Sequence, residues 1–213
     1  QEEEEIEKEA KISQGKEIKT FDDYWNIIIQ HYTKKEYDDI LNVIVEAEKL
    51  KNLIDSQKGK LYYARGFICQ NKKEYEKAEE YYKKAMDAGN NDVFINLGLL
   101  YKEQKQYSGA EEYYKKAIDA GDNDALNNLG VLYSEQKEYL KAEDNYKRAI
   151  EAGDNDALFN LGNLYKEQKE YSKAEDNYKK AIDAGNNNAL TNLGNLYKEQ
   201  KEYKKAEEYY KKA

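Results

Sequence analysis

The amino-acid sequence predicts an all-α solenoid of stacked antiparallel helix pairs, and two observations carry that reading. The dipeptide Leu-Gly recurs every 32 residues, at Leu97-Gly98, Leu129-Gly130, Leu161-Gly162 and Leu193-Gly194. Around each copy the apolar and small residues fall three and four apart, as in Leu126, Leu129, Gly130, Leu132 and Tyr133, the spacing of one helical face and not of a strand. A helix pair of this length cannot bury its apolar face alone, so neighbouring pairs must stack.

The elements follow in chain order. Residues 1–19, with seven Glu and four Lys, read as an acidic tail or frayed helix. Residues 20–58 read as a degenerate capping pair: Tyr37 stands in a repeat column, but Ile28 falls where Gly is wanted and Ile40 where Ala is wanted. Trp25, Ile27, Ile28, Ile29, Leu41, Val43, Ile44 and Val45 make it the most apolar segment, as suits a cap with its own packing. The array then runs in units 59–90, 91–122, 123–154, 155–186 and a truncated 187–213.

Within a unit such as 123–154, the first helix is expected from about Asp124 to Glu135. A turn at Gln136 to Glu138 leads to a second helix ending near Ala152. Gly89, Gly121, Gly153 and Gly185 sit where a left-handed residue closes a helix. The Asn/Asp run after each, such as Asp122-Asn123-Asp124, offers acceptors to the orphan amides of the next helix. Glycine inside the first helix (Gly66, Gly98, Gly130, Gly162, Gly194) costs about 1 kcal/mol against Ala, so a neighbour must approach closely there; the alanine column of the second helix is expected to answer it. The tyrosine columns read as core and shoulder packing, with hydroxyls at the surface.

Five columns carry a family resemblance over residues 59 to 213. They are Leu-Gly; Tyr101, Tyr133, Tyr165, Tyr197; Tyr107, Tyr139, Tyr171, Tyr203; Ala110, Ala142, Ala174, Ala206; and Tyr114, Tyr146, Tyr178, Tyr210, with Ala117, Ala149, Ala181 and Ala213 closing each unit. This pattern resembles the tetratricopeptide repeat, shortened from the usual 34 residues to 32. The family's proline is absent, since the chain has none, and the glycine turn in its place resembles that of Sel-like repeats. The resemblance implies a right-handed superhelix whose first helices line a concave groove for a partner peptide or protein.

Chemistry is thinly represented. His31 and Cys69 are the sole residues of their kinds, stand in different units, and read as packing residues rather than a nucleophilic pair. No zinc ligand pair, calcium loop or phosphate loop is present in the sequence, so neither an enzymatic activity, a cofactor nor a metal is expected. The net charge of −8 disfavours nucleic acid, as do six acidic side chains against five lysines in 155–186. The lysines Lys105, Lys137, Lys169 and Lys201, flanked by glutamates, read as a charge-mixed helix surface. No apolar run spans a membrane; one cysteine rules out an internal disulfide and fits a cytoplasmic protein.

That leaves recognition through shape, by a non-catalytic protein-interaction scaffold. Carried over from the resemblance, the groove is lined by Asn96, Asn128, Asn160 and Asn192, which offer donors and acceptors to a peptide backbone. Two flanking columns vary: Tyr63, Ile95, Asn127, Phe159, Thr191 and Phe67, Leu99, Val131, Asn163, Asn195. The groove therefore grades from apolar to polar. A partner's apolar anchor is expected at Tyr63, Phe67, Ile95 and Leu99, unless the capping pair or the tail covers them, with Phe159 as an aromatic platform. Family members that clamp a terminal carboxylate use basic residues where this chain has Asp92, Asp124, Asp156 and Asn188, with Lys60 the one basic residue of the column, so such a ligand is not expected. An alternative of another kind is self-assembly, in which near-identical units stack end to end into a homo-oligomer.

Overall fold

The computed structural model describes residues 20–213; the expected acidic tail lies outside the described residues. Among the described residues there are twelve helices and no strand. Among the described residues no helix is long and apolar enough to cross a membrane. Contacts divide the chain into two compact units, residues up to Asn96 and Leu97–Ala213.

The first unit holds α1 (Phe21–Lys34), α2 (Tyr37–Glu48), α3 (Asp55–Asn71), α4 (Tyr75–Asp87) and the start of α5 (Val93–Glu103). Helix α1 begins at Thr20, whose hydroxyl oxygen accepts from the Asp23 amide at 3.3 Å. Its core joins Phe21, Ile28, Ile40, Ile44, Ala47, Leu61, Ala64 and Ile68, so the apolar segment read as a cap packs onto α3 as one cluster. Ile28 and Ile40, which break the small-residue columns, are fully buried.

The second unit holds the rest of α5, then α6 (Tyr107–Asp119), α7 (Asp124–Glu135), α8 (Tyr139–Glu151), α9 (Asp156–Glu167), α10 (Tyr171–Asp183), α11 (Asn188–Glu199) and α12 (Tyr203–Lys212). Its pairs repeat one packing scheme. Leu129, Leu132, Tyr133, Ala142, Tyr146 and Ala149 are buried in the pair α7–α8, and the same columns are buried in α9–α10.

The glycine column has the close neighbour that was expected, but its identity is corrected. A Cβ on Gly130 would lie 2.6 Å from the ring of Tyr146, and on Gly98 2.4 Å from that of Tyr114. The ring of the second helix, not its alanine, fills the space.

Both kinds of turn use left-handed backbone. Between pairs, Gly89, Gly121, Gly153 and Gly185 have φ of +80° to +97°, as the sequence predicts. Within pairs, the residue at φ near +60° is a lysine every time: Lys35, Lys73, Lys105, Lys137, Lys169 and Lys201. The lysines read as helix surface are therefore turn residues. The Lys137 amide donates to Ser134 O (2.9 Å) and the Glu138 amide to Tyr133 O (2.9 Å), closing α7 through its last carbonyls. At the next helix start, Asp122 Oδ1 accepts from the Asp124 amide at 3.2 Å and Asp154 Oδ1 from the Asp156 amide at 2.9 Å. The cap expected from the acidic run thus comes from its first residue, two before the amide it serves.

Candidate functional site

Apart from Thr191, which is exposed, each candidate groove residue is half-buried, neither sealed in the core nor free in solvent. They fall in both units. In the first, Tyr63 sits 6.1 Å from the Tyr82 ring, and Asn96 Nδ2 donates to the Tyr82 hydroxyl at 3.3 Å. Burial pushes the Tyr63 hydroxyl's pKa up, and Asp92 adds to the shift. Phe67 packs against Tyr32 of α1, ring centres 5.2 Å apart, and the Tyr32 hydroxyl donates to Ala64 O at 3.3 Å. The capping pair therefore covers part of the surface read as an apolar anchor; Ile95 stays half-buried beside Asn96.

In the second unit the asparagines are tied to one another. Asn160 Nδ2 donates to Asn127 Oδ1 at 2.9 Å, and Asn192 Nδ2 donates to Asn163 Oδ1 at 2.8 Å. Asn128 turns back onto its own helix, donating to Asp124 O at 3.1 Å. Phe159 lies 6.2 Å from the Tyr178 ring.

The column Leu99, Val131, Asn163, Asn195 proves to serve the core as well as the surface. The Tyr178 hydroxyl donates to Asn163 Oδ1 and that of Tyr210 to Asn195 Oδ1, each at 2.7 Å. Burial pushes the Tyr178 hydroxyl's pKa up to about 12. Where the column holds Leu99, the equivalent Tyr114 hydroxyl is buried with no partner among the described residues. Where it holds Phe67, Tyr82 donates to Gln70 Oε1 instead, at 2.8 Å.

Hydroxyls of the first tyrosine column, expected at the surface, join adjacent pairs instead. Tyr133 donates to Glu111, Tyr165 to Glu143 and Tyr197 to Glu175, each at 2.8 Å, while Lys141, Lys173 and Lys205 sit over the same rings at about 5 Å. Sequence spacing places these rings on a buried face but carries no signal for the glutamate 22 residues earlier that receives the hydroxyl.

Family comparison agrees with this architecture. Tetratricopeptide repeat models match residues 59–88, 92–120, 122–187 and 188–213. The chain belongs to the tetratricopeptide repeat family. Its repeats are similar in structure to PilF of Pseudomonas aeruginosa, with a TM-score of 0.74, 20% identity and 89% of this chain and 88% of that one covered. They are also similar to PilW, described as a widely conserved type IV pilus biogenesis factor: TM-score 0.75, 18% identity, 91% of each chain covered. MamA shares 28% identity over 73% of this chain and 90% of its own, with a TM-score of 0.59. Among curated proteins, ycf37 of Cyanophora paradoxa, called uncharacterised, is 38% identical over 64 residues, 30% of this chain and 37% of its own length.

Repeats of this family form interaction surfaces, and the chain is a protein-interaction scaffold. The reactive side chains fit packing. Cys69 is buried in α3, and burial pushes its thiol pKa up, away from the thiolate a nucleophile needs. His31 is partly covered and meets Glu36 through Nδ1 at 2.6 Å. Glu36, just before α2, and Asp39, at the start of α2, bring carboxylates near it, a group the sequence reading did not assemble, but both are exposed.

Proposed function

We propose that the second unit binds an extended partner peptide along the residues of its first helices, with Asn127, Asn128, Asn160, Asn163, Asn192 and Asn195 reading the peptide backbone and Leu99, Val131 and Phe159 taking its apolar side chains. The observation that carries this reading is the pairing of asparagines from successive repeats, Asn127 with Asn160 and Asn163 with Asn192. Each pair holds its carboxamides in place before a ligand arrives, and Asn160 Oδ1 and Asn192 Oδ1 stay available to peptide N–H groups. Preorganisation of this kind lowers the ordering cost of binding. In the first unit, Tyr63, Ile95 and Asn96 offer a second, more apolar surface, on which Phe67 contributes only what Tyr32 leaves uncovered. Exposed Asp92 on the first unit, and exposed Asp124 and Asp156 on the second, favour a partner with basic or neutral groups over a terminal carboxylate.

Panning a random peptide display library on the protein tests the reading. Selected peptides should bind the Asn128→Ala, Phe159→Ala, Asn160→Ala variant about tenfold more weakly, with its helicity unchanged by circular dichroism. Equal affinity for the two proteins would remove the first-helix surface as the binding site.

A further inference from the structure

The pair α7–α8 departs from its sister pairs at several positions that line one cleft. Leu140 stands where the others carry Glu76, Ser108, Ser172 and Lys204. Arg148 stands where they carry Lys84, Lys116, Lys180 and Lys212. Asn145 stands where Tyr81, Tyr113 and Tyr209 stand, a change shared with Asn177 alone. All three line a cleft of about 470 Å3 among α6, α7 and α8, which shares no residue with the asparagine surface.

The missing ring explains the space. Tyr113 packs on Tyr101 at 5.3 Å and Tyr209 on Tyr197 at 5.5 Å, so the pairs α5–α6 and α11–α12 fill this position from within, whereas α9–α10 carries Asn177 there. Asn145 is too short to do so. Its Nδ2 donates to Lys141 O at 2.8 Å, but its Oδ1 is buried with no partner among the described residues, and the residue as a whole is only 5% exposed. A buried acceptor without a donor is costly and rare. At the rim the opposite anomaly appears: Leu140 is 84% exposed, more than any other large apolar side chain among the described residues.

We propose that this cleft receives a tyrosine or tryptophan side chain from a partner polypeptide. The ring lies against Ile118, Leu129 and Leu140, and its O–H or N–H donates to Asn145 Oδ1. The occupant is argued from three features: the chain's own repeats place a tyrosine ring at the equivalent position, the orphan oxygen requires a donor, and the rim is apolar. Phenylalanine meets only the apolar part. A small anion fits poorly, because Lys115 is engaged by Glu111 at 2.6 Å, Lys141 by Glu138, and Asp119 and Asp144 stand in the wall.

The test uses p-cresol and 3-methylindole as the two side chains and toluene as the phenylalanine counterpart, followed by amide chemical shifts of the full chain. Both donor probes should shift amides in 115–119 and 140–148, with toluene binding about 2- to 10-fold more weakly. The Asn145→Tyr variant, which restores the ring accepted by sister pairs, should abolish these shifts while keeping the helices. Leu140→Ser, a surface change to the residue of a sister pair, should weaken them. Several results would overturn the proposal: no shift at these amides at millimolar probe, equal binding of toluene, or shifts that survive in both variants. Amides that move with protein concentration instead of probe would give the cleft to a second copy of the chain, and overturn it too. The Asn128→Ala, Phe159→Ala, Asn160→Ala variant should leave the cleft shifts unchanged, so failure of the peptide surface and failure of the cleft are read separately.

Discussion

Tyr114 and Tyr178 occupy equivalent places in their repeats, yet only Tyr178 has an acceptor for its hydroxyl, because Asn163 stands where the other repeat has Leu99. The consequence is measurable. Tyr178→Phe should lower stability by about 1 kcal/mol, since it removes a bond and leaves Asn163 with one partner fewer; Tyr114→Phe should be neutral or slightly stabilising, since the hydroxyl it deletes is buried and unmet. Urea denaturation of the two variants checks the contrast, and equal losses would contradict it. The glycine column gives a second prediction: Gly130→Ala places a methyl 2.6 Å from the Tyr146 ring and should cost about 1–3 kcal/mol. That a glycine was needed there was legible in the sequence, because a helix interior does not keep glycine without a close neighbour. Which neighbour was not legible. Ala142 and Tyr146 lie four apart on one face of α8, and spacing alone cannot tell which of them reaches Gly130.

At the scale of the helix and its turns, the two left-handed positions look alike in φ and differ in what they tolerate. Lys137 already carries the cost of a side chain at φ +60°, so Lys137→Ala should change stability by less than about 0.5 kcal/mol. Gly153, at φ +97°, carries none, and Gly153→Ala should cost about 1–2 kcal/mol. Thermal unfolding of both variants measures the difference. The sequence disclosed the glycine turns because glycine is the usual residue at a left-handed helix end. It placed the turn at Gln136 to Glu138 but hid the left-handed lysine inside it, because lysine has no preference for that backbone and its glutamate neighbours resembled an ordinary charged helix face. The helix spans themselves were readable, with α7 at Asp124–Glu135 as expected, since the 3.6-residue period and the closing glycine point to the same boundaries. The break in the tyrosine column at Asn145 was also present in the sequence, but nothing in a letter reports that a carboxamide oxygen lacks a donor.

Across the whole molecule, acid and alkali should both destabilise the fold through the same tyrosine–glutamate joints. The Lys115 hydrogen bond holds Glu111 below the usual carboxylate range. Burial pulls Glu143 and Glu175 upward, but Lys147 with Tyr165, and Lys179 with Tyr197, outweigh it and leave both lowered. A lowered carboxylate contributes stability above its unfolded pKa of about 4.3 and loses it as pH falls through the folded value. Tyrosines shift the other way. Burial, followed by the glutamate bond, raises Tyr133, Tyr165 and Tyr197, so their contribution is present below the unfolded pKa of about 10 and is lost as pH climbs toward the folded value. The melting temperature should therefore be level between about pH 5 and 9 and fall on either side. Tyr165→Phe should flatten the alkaline limb; an unchanged limb would show that other tyrosines govern it. At this scale the array was legible from its period alone, whereas the joints were not, since they link residues of neighbouring pairs that no short motif brings together.

Because the bond from Tyr133 to Glu111 is repeated by Tyr165 to Glu143 and Tyr197 to Glu175, each pair from α7 onward meets the one before it through the same chemical handshake. A joint that does not know which pair it belongs to permits editing by whole units. Excising one 32-residue block between Asp124 and Asn187 reconnects a tyrosine to an equivalent glutamate, and duplicating one inserts a further copy of the same joint. Recombination between near-identical stretches of the gene can therefore lengthen or shorten the protein without inventing a new contact, so its reach is open to adjustment by copy number.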